Sequence, residues 1–230
     1  MGKDIKEFEK KLGVLFKDIN ILKSAFIHRS YINEHKEINL EHNERLEFLG
    51  DAVLELAVTD FLFTKYPNST EGDLTAYRAA LVNTNSLSEA ASSLGINEYL
   101  LLSKGESQDI GRARQYILAN TFESVVGALY IDQGYGAAQK FISDNLFNLI
   151  DEIISKRLWQ DSKSYFQEKA QEYVGVTPNY ELVEENGPDH DREFIIGVYL
   201  NKEMVSKGVG RSKQEAEQDA ARSALEIKGW

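Results

Sequence analysis

Apolar side chains return at helical spacing along residues 43–56: Leu46, Leu49, Val53 and Leu56 recur on one face, and Glu44, Glu47, Asp51 and Glu55 gather on the opposite one. The spacing predicts a helix that packs on one side and carries a column of carboxylates on the other. A helix with a merely solvated acidic face usually sets Lys or Arg four residues beyond its acids, and none stands there. Gly50 is a second irregularity, because Gly in a helix interior costs about 1 kcal/mol relative to Ala. Phe48 is a third, a large aromatic on the polar side.

Ahead of this stretch, Ile5, Phe8 and Leu12, then Ile19, Leu22, Phe26 and Ile27, trace a helical rhythm broken near Gly13 and restarted after Asp18. The run ends over residues 25–31, where His28 and Arg29 read as capping or core-contact residues, and a polar segment over 33–43 leads into the acidic helix. After a turn at 66–69, Thr70 and Asp73 form a capping-box pattern that opens a helix through Ala80, Leu81 and Val82; Glu71 and Asp73 suit such a helix start in any case. A helix over 86–94 stops at Gly95, and residues 103–114, rich in Gly and charge, read as a loop. Residues 117–130 are apolar almost all round, as in a helix buried in a core.

Asn120 and Glu123 stand one turn apart inside that apolar helix. A carboxylate there is costly unless paired or bound to a cation, and no basic residue lies nearby in sequence. If the two helices meet, Glu44, Glu47 and Asp51 face Glu123. At about 5 Å and an effective dielectric of about 20, each carboxylate pair repels by roughly 3 kcal/mol, and several such pairs would cancel a domain's margin of roughly 5–15 kcal/mol. A cation among them removes the conflict. With no Cys in the chain, its ligands are oxygens or the four His, so a hard ion is expected, Mg2+ by default. Mg2+ held by carboxylates and phosphate oxygens points to phosphodiester chemistry.

The chain of 230 residues is 42% hydrophobic and 27% charged, which suits a globular protein with one large domain, or one plus a small one. No apolar run approaches the roughly 18 residues that span a membrane, and the first residues lack a signal peptide's apolar core, so a cytoplasmic protein with no membrane partner is expected. A formal charge of −11 argues, on its own, against nucleic acid as the main partner, because phosphate binding normally leaves a basic footprint.

Beyond Ile150 the composition shifts. Residues 158–161 read as a short linker, with Asp161 or Ser162 capping a helix through Phe166, Ala170 and Tyr173. Residues 180–183 and 193–200 have the β-branched and aromatic content of strands, Asn201 and Lys202 mark a hairpin turn, residues 204–208 return, and 212–227 form an Ala-rich helix.

The stretch 43–51 (Asn-Glu-Arg-Leu-Glu-Phe-Leu-Gly-Asp) resembles the signature of the bacterial ribonuclease III family. The match continues through Pro67, residues 71–73 (Glu-Gly-Asp), residues 78–82 (Arg-Ala-Ala-Leu-Val) and the helix holding Asn120 and Glu123. The C-terminal order of helix, three strands and helix, with Gln167-Glu168, residues 187–190 and residues 208–213, resembles the double-stranded RNA-binding domain. The resemblance implies an all-α endonuclease domain over 4–155, followed by a small α+β (α-β-β-β-α) double-stranded RNA-binding domain over 160–229. It implies a homodimer that cleaves double-stranded RNA with Mg2+, Mn2+ substituting, to 5′-phosphate and 3′-hydroxyl ends, in processing ribosomal RNA precursors and other structured transcripts.

Family roles carried onto matching positions make Glu47, Asn120 and Glu123 metal-binding, Asp51 and Glu123 catalytic, and Glu44 and Glu71 accessory acids. Phe48 would insert into the partner subunit. The family more often has Asp where this chain has Asn120, which offers a carbonyl oxygen but no charge, so weaker metal binding with catalysis retained is expected. In the C-terminal domain Gln167 and Glu168 would reach 2′-hydroxyls in one minor groove and His190 the next, while Lys213, at a helix N-terminus, would meet phosphates. From Asp161 onward there are 9 Lys and Arg against 14 Asp and Glu, and family members often have a second Lys at Gln214. The basic face would then rest on Lys163, Arg211, Lys213 and Arg222, giving modest, salt-sensitive affinity. The alternative to an enzyme is a duplex-RNA binder that has lost catalysis, prompted by Asn120 and Gln214 together; the retained acids favour the enzyme.

Overall fold

The computed structural model describes residues 3–37, 39–155, 159–188 and 192–230. The chain divides into two compact units, residues 1–159 and 160–230.

The first unit is helical: α1 (Ile5–Leu12), α2 (Ile19–Ala25), α3 (Arg29–Glu34), α4 (Glu44–Lys65), α5 (Glu71–Leu81), α6 (Thr84–Ser93), α7 (Lys104–Gln108), α8 (Arg112–Gln133), α9 (Tyr135–Leu146) and α10 (Ile150–Ser155). Its core gathers Phe8, Phe26, Leu54, Leu62, Phe122 and Leu129, all fully buried. α8 is buried along most of its length, as its all-round apolar sequence requires. α4 lies against it, and the contact explains the glycine. A Cβ on Gly50 would overlap the carbonyl oxygen of Glu123, and one on Gly127 would overlap that of Leu46. The two backbones therefore touch where both helices lack side chains, and the helix cost of Gly50 is the condition of that approach.

The burial face of α4 differs from the one its spacing predicts. Gly50, Val53, Leu54, Ala57, Val58 and Leu62 are buried, whereas Leu56 is 57% exposed. The packed stripe is turned toward the acids, because the glycine contact fixes which side meets α8. Two short helices also lie where polar sequence predicts none. α3 is started by His28, whose ring nitrogen accepts from the Ser30 N–H, and ends in a stacked Tyr31–His35 pair at 4.0 Å. α7 falls within the predicted 103–114 loop, capped by Ser103, and α8 already begins at Arg112. The predicted capping box is formed: the Thr70 N–H donates to Asp73 and the Asp73 N–H to Thr70.

Asp132, buried at the end of α8, accepts the N–H groups of Lys17 and Asp18 at 2.9 and 3.0 Å. Burial acts to raise its pKa, but these hydrogen bonds outweigh it and hold the carboxyl below its ordinary range. Of the residues read as linker, Leu158 lies outside the described residues. Trp159 packs edge-on to Tyr77 at 5.0 Å within the first unit, and Asp161 caps the next helix.

The second unit runs α11 (Ser162–Val174), β1 (Asn179–Asn186), β2 (Glu193–Leu200), β3 (Glu203–Gly210) and α12 (Lys213–Lys228). The strands form an antiparallel sheet in the order β1-β2-β3, with Tyr180 opposite Val198 and Ile196 opposite Gly208. Asn201 turns the β2–β3 hairpin at φ 58°, a conformation Asn tolerates. Phe166 and Ala170 of α11, Val198 and Leu200 of β2, and Ala220, Ala221 and Ala224 of α12 close one core on one face of the sheet. Small alanines let α12 lie close to the strands.

Candidate active site

α4 has three faces. One is the buried stripe, the second carries Glu44, Glu47, Asp51 and Glu55, and the third is an exposed apolar row of Phe48, Ala52, Leu56 and Phe63. The contact at Gly50 and Gly127 sets the acidic face beside Asn120 and Glu123 of α8. The charges of Asp51, Glu47 and Glu55 all act on Glu123. Burial first, and these three acids after it, push the Glu123 carboxyl up to about 8. Glu47 is raised by burial and then by Glu44, and an Asn120 side-chain hydrogen bond opposes that rise.

The acids at the two ends of the column are compensated from other helices. Arg29 of α3 lies 3.3 Å from Glu44, and Arg78 of α5 lies 2.9 Å from Glu55. The central acids, Glu47, Asp51 and Glu123, have no ion pair with a Lys or Arg among the described residues. Two further bonds fix the frame. Asn43 is buried and its N–H donates to the Ile27 carbonyl at 2.9 Å, and the Ser124 hydroxyl reaches the Asn43 carbonyl.

Glu71 stands apart. It is exposed at the first position of α5, accepts from the Thr75 hydroxyl at 3.4 Å, and is not among the charges acting on Glu47 or Glu123. Sequence reasoning gave Arg29 no part here and left Glu55 out of the site. Both belong to the group through contacts between elements. The one sequence signal for the crossing was a glycine inside each long helix.

Three oxygen donors, the carboxylates of Glu47 and Glu123 and the amide oxygen of Asn120, suit a hard cation that keeps waters of its own. Among the described residues no three His, Asp or Glu side chains are drawn into a closed ligand cage. An open set of one or two carboxylates with room for substrate oxygens is how Mg2+ is usually held, so the residues fit such an ion.

In the second unit, Gln167 and Glu168 are exposed on α11, and Arg211 and Lys213 are exposed at the start of α12. His190 lies outside the described residues. The expected four-cation face is reduced. Lys163 pairs with Glu217 and lies over the Tyr180 ring, and Arg222 pairs with Asp219. Arg211 and Lys213 form no ion pair among the described residues.

Comparison with known proteins bears on both units. The family model for ribonuclease-III-like domains matches residues 18–150, more than half of the chain, and that for the double-stranded RNA binding motif matches 162–228. The chain belongs to the ribonuclease III family. It is 47% identical over 220 residues to Ribonuclease 3 of Enterococcus faecalis, covering 95% of each chain. It is also 47% identical over 220 residues to Ribonuclease 3 of Geobacillus thermodenitrificans, covering 96% of this chain and 89% of that one. A solved nuclease domain of ribonuclease III from Campylobacter jejuni, described as flexible in a region involved in dimer formation, is 38% identical. It covers 62% of this chain and 98% of its own, with a TM-score of 0.55. As a ribonuclease III the chain is an endoribonuclease, with a helical nuclease domain ahead of a double-stranded RNA-binding domain.

Proposed function

We propose that this ribonuclease III cleaves double-stranded RNA as a Mg2+-dependent homodimer, leaving 5′-phosphate and 3′-hydroxyl ends, in the cytoplasm and in the processing of ribosomal RNA precursors and other structured transcripts. The observation that carries the reading is the set of acids without a Lys or Arg partner at the crossing of α4 and α8, in particular a Glu123 carboxyl pushed up to about 8 by burial and by its acidic neighbours. Glu47, Asn120 and Glu123 would hold the ion. When bound, Mg2+ supplies charge stabilisation at the phosphate and acidifies water. Asp51, exposed beside Glu123, is placed to accept a hydrogen bond from the attacking water and orient it. Glu123 can take up a proton near neutral pH, as a general base must. Asn120 donates to Glu47 and so keeps that carboxylate ionised and aimed.

The dimer is supported by α4's apolar row. Phe48 is 82% exposed and Phe63 71% exposed. Beside Phe48 lies a cavity of about 760 Å³ lined by Ile21, Leu40, Leu46, Leu49 and Ile131. Knob and socket sit on one surface, which is what a two-fold contact between identical chains requires, and two sites so related cut both strands. No helix among the described residues is long and apolar enough to cross a membrane.

Incubating the protein with a long RNA duplex, with and without Mg2+, tests the reading. Shortened products with 5′-phosphate ends only in the presence of metal are expected. A shifted but intact duplex under both conditions would replace the enzyme with a binder.

A further inference from the structure

We propose that Arg29 is a phosphate-holding residue: its guanidinium leaves Glu44 to grip the RNA backbone at the edge of the carboxylate group. The inference rests on the reading of that group as an RNA-cleaving site. A polyanion approaching a face that carries Glu44, Glu47, Asp51 and Glu55 meets repulsion, so the site needs a cation of its own at its rim. Two arginines reach the column, and they are held differently. Arg78 is engaged twice, its Nε at 2.9 Å from Glu55 and another guanidinium nitrogen donating to the Thr59 hydroxyl at 2.9 Å, and its side chain is 35% exposed. Arg29 makes one contact, 3.3 Å from Glu44, with a side chain 66% exposed. That separation is longer than a charge-assisted hydrogen bond, and pairs this exposed are weak.

The backbone beneath Arg29 is fixed. Ile27 bridges Leu101 and accepts from the Asn43 N–H, the His28 N–H donates to the Leu101 carbonyl at 3.1 Å, and the His28 ring caps the helix that Arg29 begins. A pinned base with a free tip suits a side chain that exchanges one oxyanion for another. The guanidinium fork fits phosphate as well as carboxylate. The near end of the column is fixed by the same frame, since Asn43 precedes Glu44 and is tied to α8 through Ser124.

The test is equilibrium binding of a labelled RNA duplex to the full chain in chelator, across about 50–300 mM KCl, for wild type, Arg29→Met, Arg29→Lys and Glu44→Gln. Arg29→Met is expected to weaken binding about fivefold and to reduce the slope of log Kd against log[KCl] by about one, the signature of one lost phosphate contact. Arg29→Lys keeps the charge and therefore the slope. Glu44→Gln frees Arg29 and tightens binding about twofold. An unchanged slope in Arg29→Met, or weakening by Glu44→Gln equal to that of Arg29→Met, would overturn the proposal and leave Arg29 as a prop for Glu44. Cleavage by wild type with Mg2+, measured alongside, keeps the two readings apart. Cutting with an unchanged slope sinks this inference alone, and a changed slope without cutting sinks the enzyme alone.

Discussion

Replacing Glu123 by Gln should stabilise the metal-free protein at alkaline pH. The native carboxyl holds its proton to about 8, while the unfolded chain releases it near 4.5. Between those values the folded state binds the extra proton, so stability falls as pH rises through the window and levels off above it. At about 1.4 kcal/mol per pH unit, ionising Glu123 in place costs at most about 5 kcal/mol. The side chain is partly exposed and its acidic neighbours can relax into water, which leaves about 2 kcal/mol. Glu123→Gln removes that cost and nothing else of comparable size, because the amide has the same shape. Thermal unfolding of the nuclease unit in chelator should show equal midpoints near pH 5 and, at pH 8, a variant roughly 4–8 °C above wild type. Mg2+ should close the gap by stabilising wild type, since it binds the native state alone. A variant less stable than wild type at pH 8, or one stabilised by Mg2+ as much as wild type, would refute the reasoning.

Other outcomes follow from the same structure. Gly50→Ala, which would stabilise an isolated helix, should destabilise this protein by about 1–3 kcal/mol in urea unfolding and lower cleavage, because its methyl separates α4 from α8. Asp132→Asn should cost about 1–3 kcal/mol by weakening the acceptor for Lys17 and Asp18. Its effect should be largest at neutral pH and fade on acidification, because the depressed native carboxyl contributes stability that is lost as pH falls through its pKa. Phe48→Asp should leave the protomer's melting point unchanged, given its exposure, and shift sedimentation from dimer toward monomer. Lys213→Ala should reduce the salt slope of duplex binding by about one, whereas Lys163→Ala, already paired to Glu217, should change it little.

How much of this was legible in the sequence depended on whether the cause was local. Helical spacing placed Glu44, Glu47 and Asp51 on one face, and the apolar surroundings of Glu123 marked it as needing a cation. The hairpin at Asn201, the Thr70 capping box and the Ala-rich last helix all rest on interactions within a few residues, and each was readable. The packed face of α4 was not. Spacing alone treats Leu56 as equivalent to Leu54, and only the contact at Gly127 decides which is buried. α3 and α7 are too short for periodicity to register and depend on caps. Arg29 and Arg78 meet their acids across helix boundaries, so no spacing rule finds them. The C-terminal cations could be counted from the sequence, but pairing to Glu217 and Asp219 removes two of the four from the basic face.

The account's central claim is that α4 and α8 hold acids together for a divalent ion. Calorimetric titration of the chelator-treated protein with Mg2+ or Mn2+ at pH 7, repeated in buffers of different ionisation heat, reads it directly. Binding should release about one proton per protomer from wild type, as Glu123 gives up the one it holds, and none from Glu123→Gln. Saturable binding without proton release, or no binding at all, would contradict it.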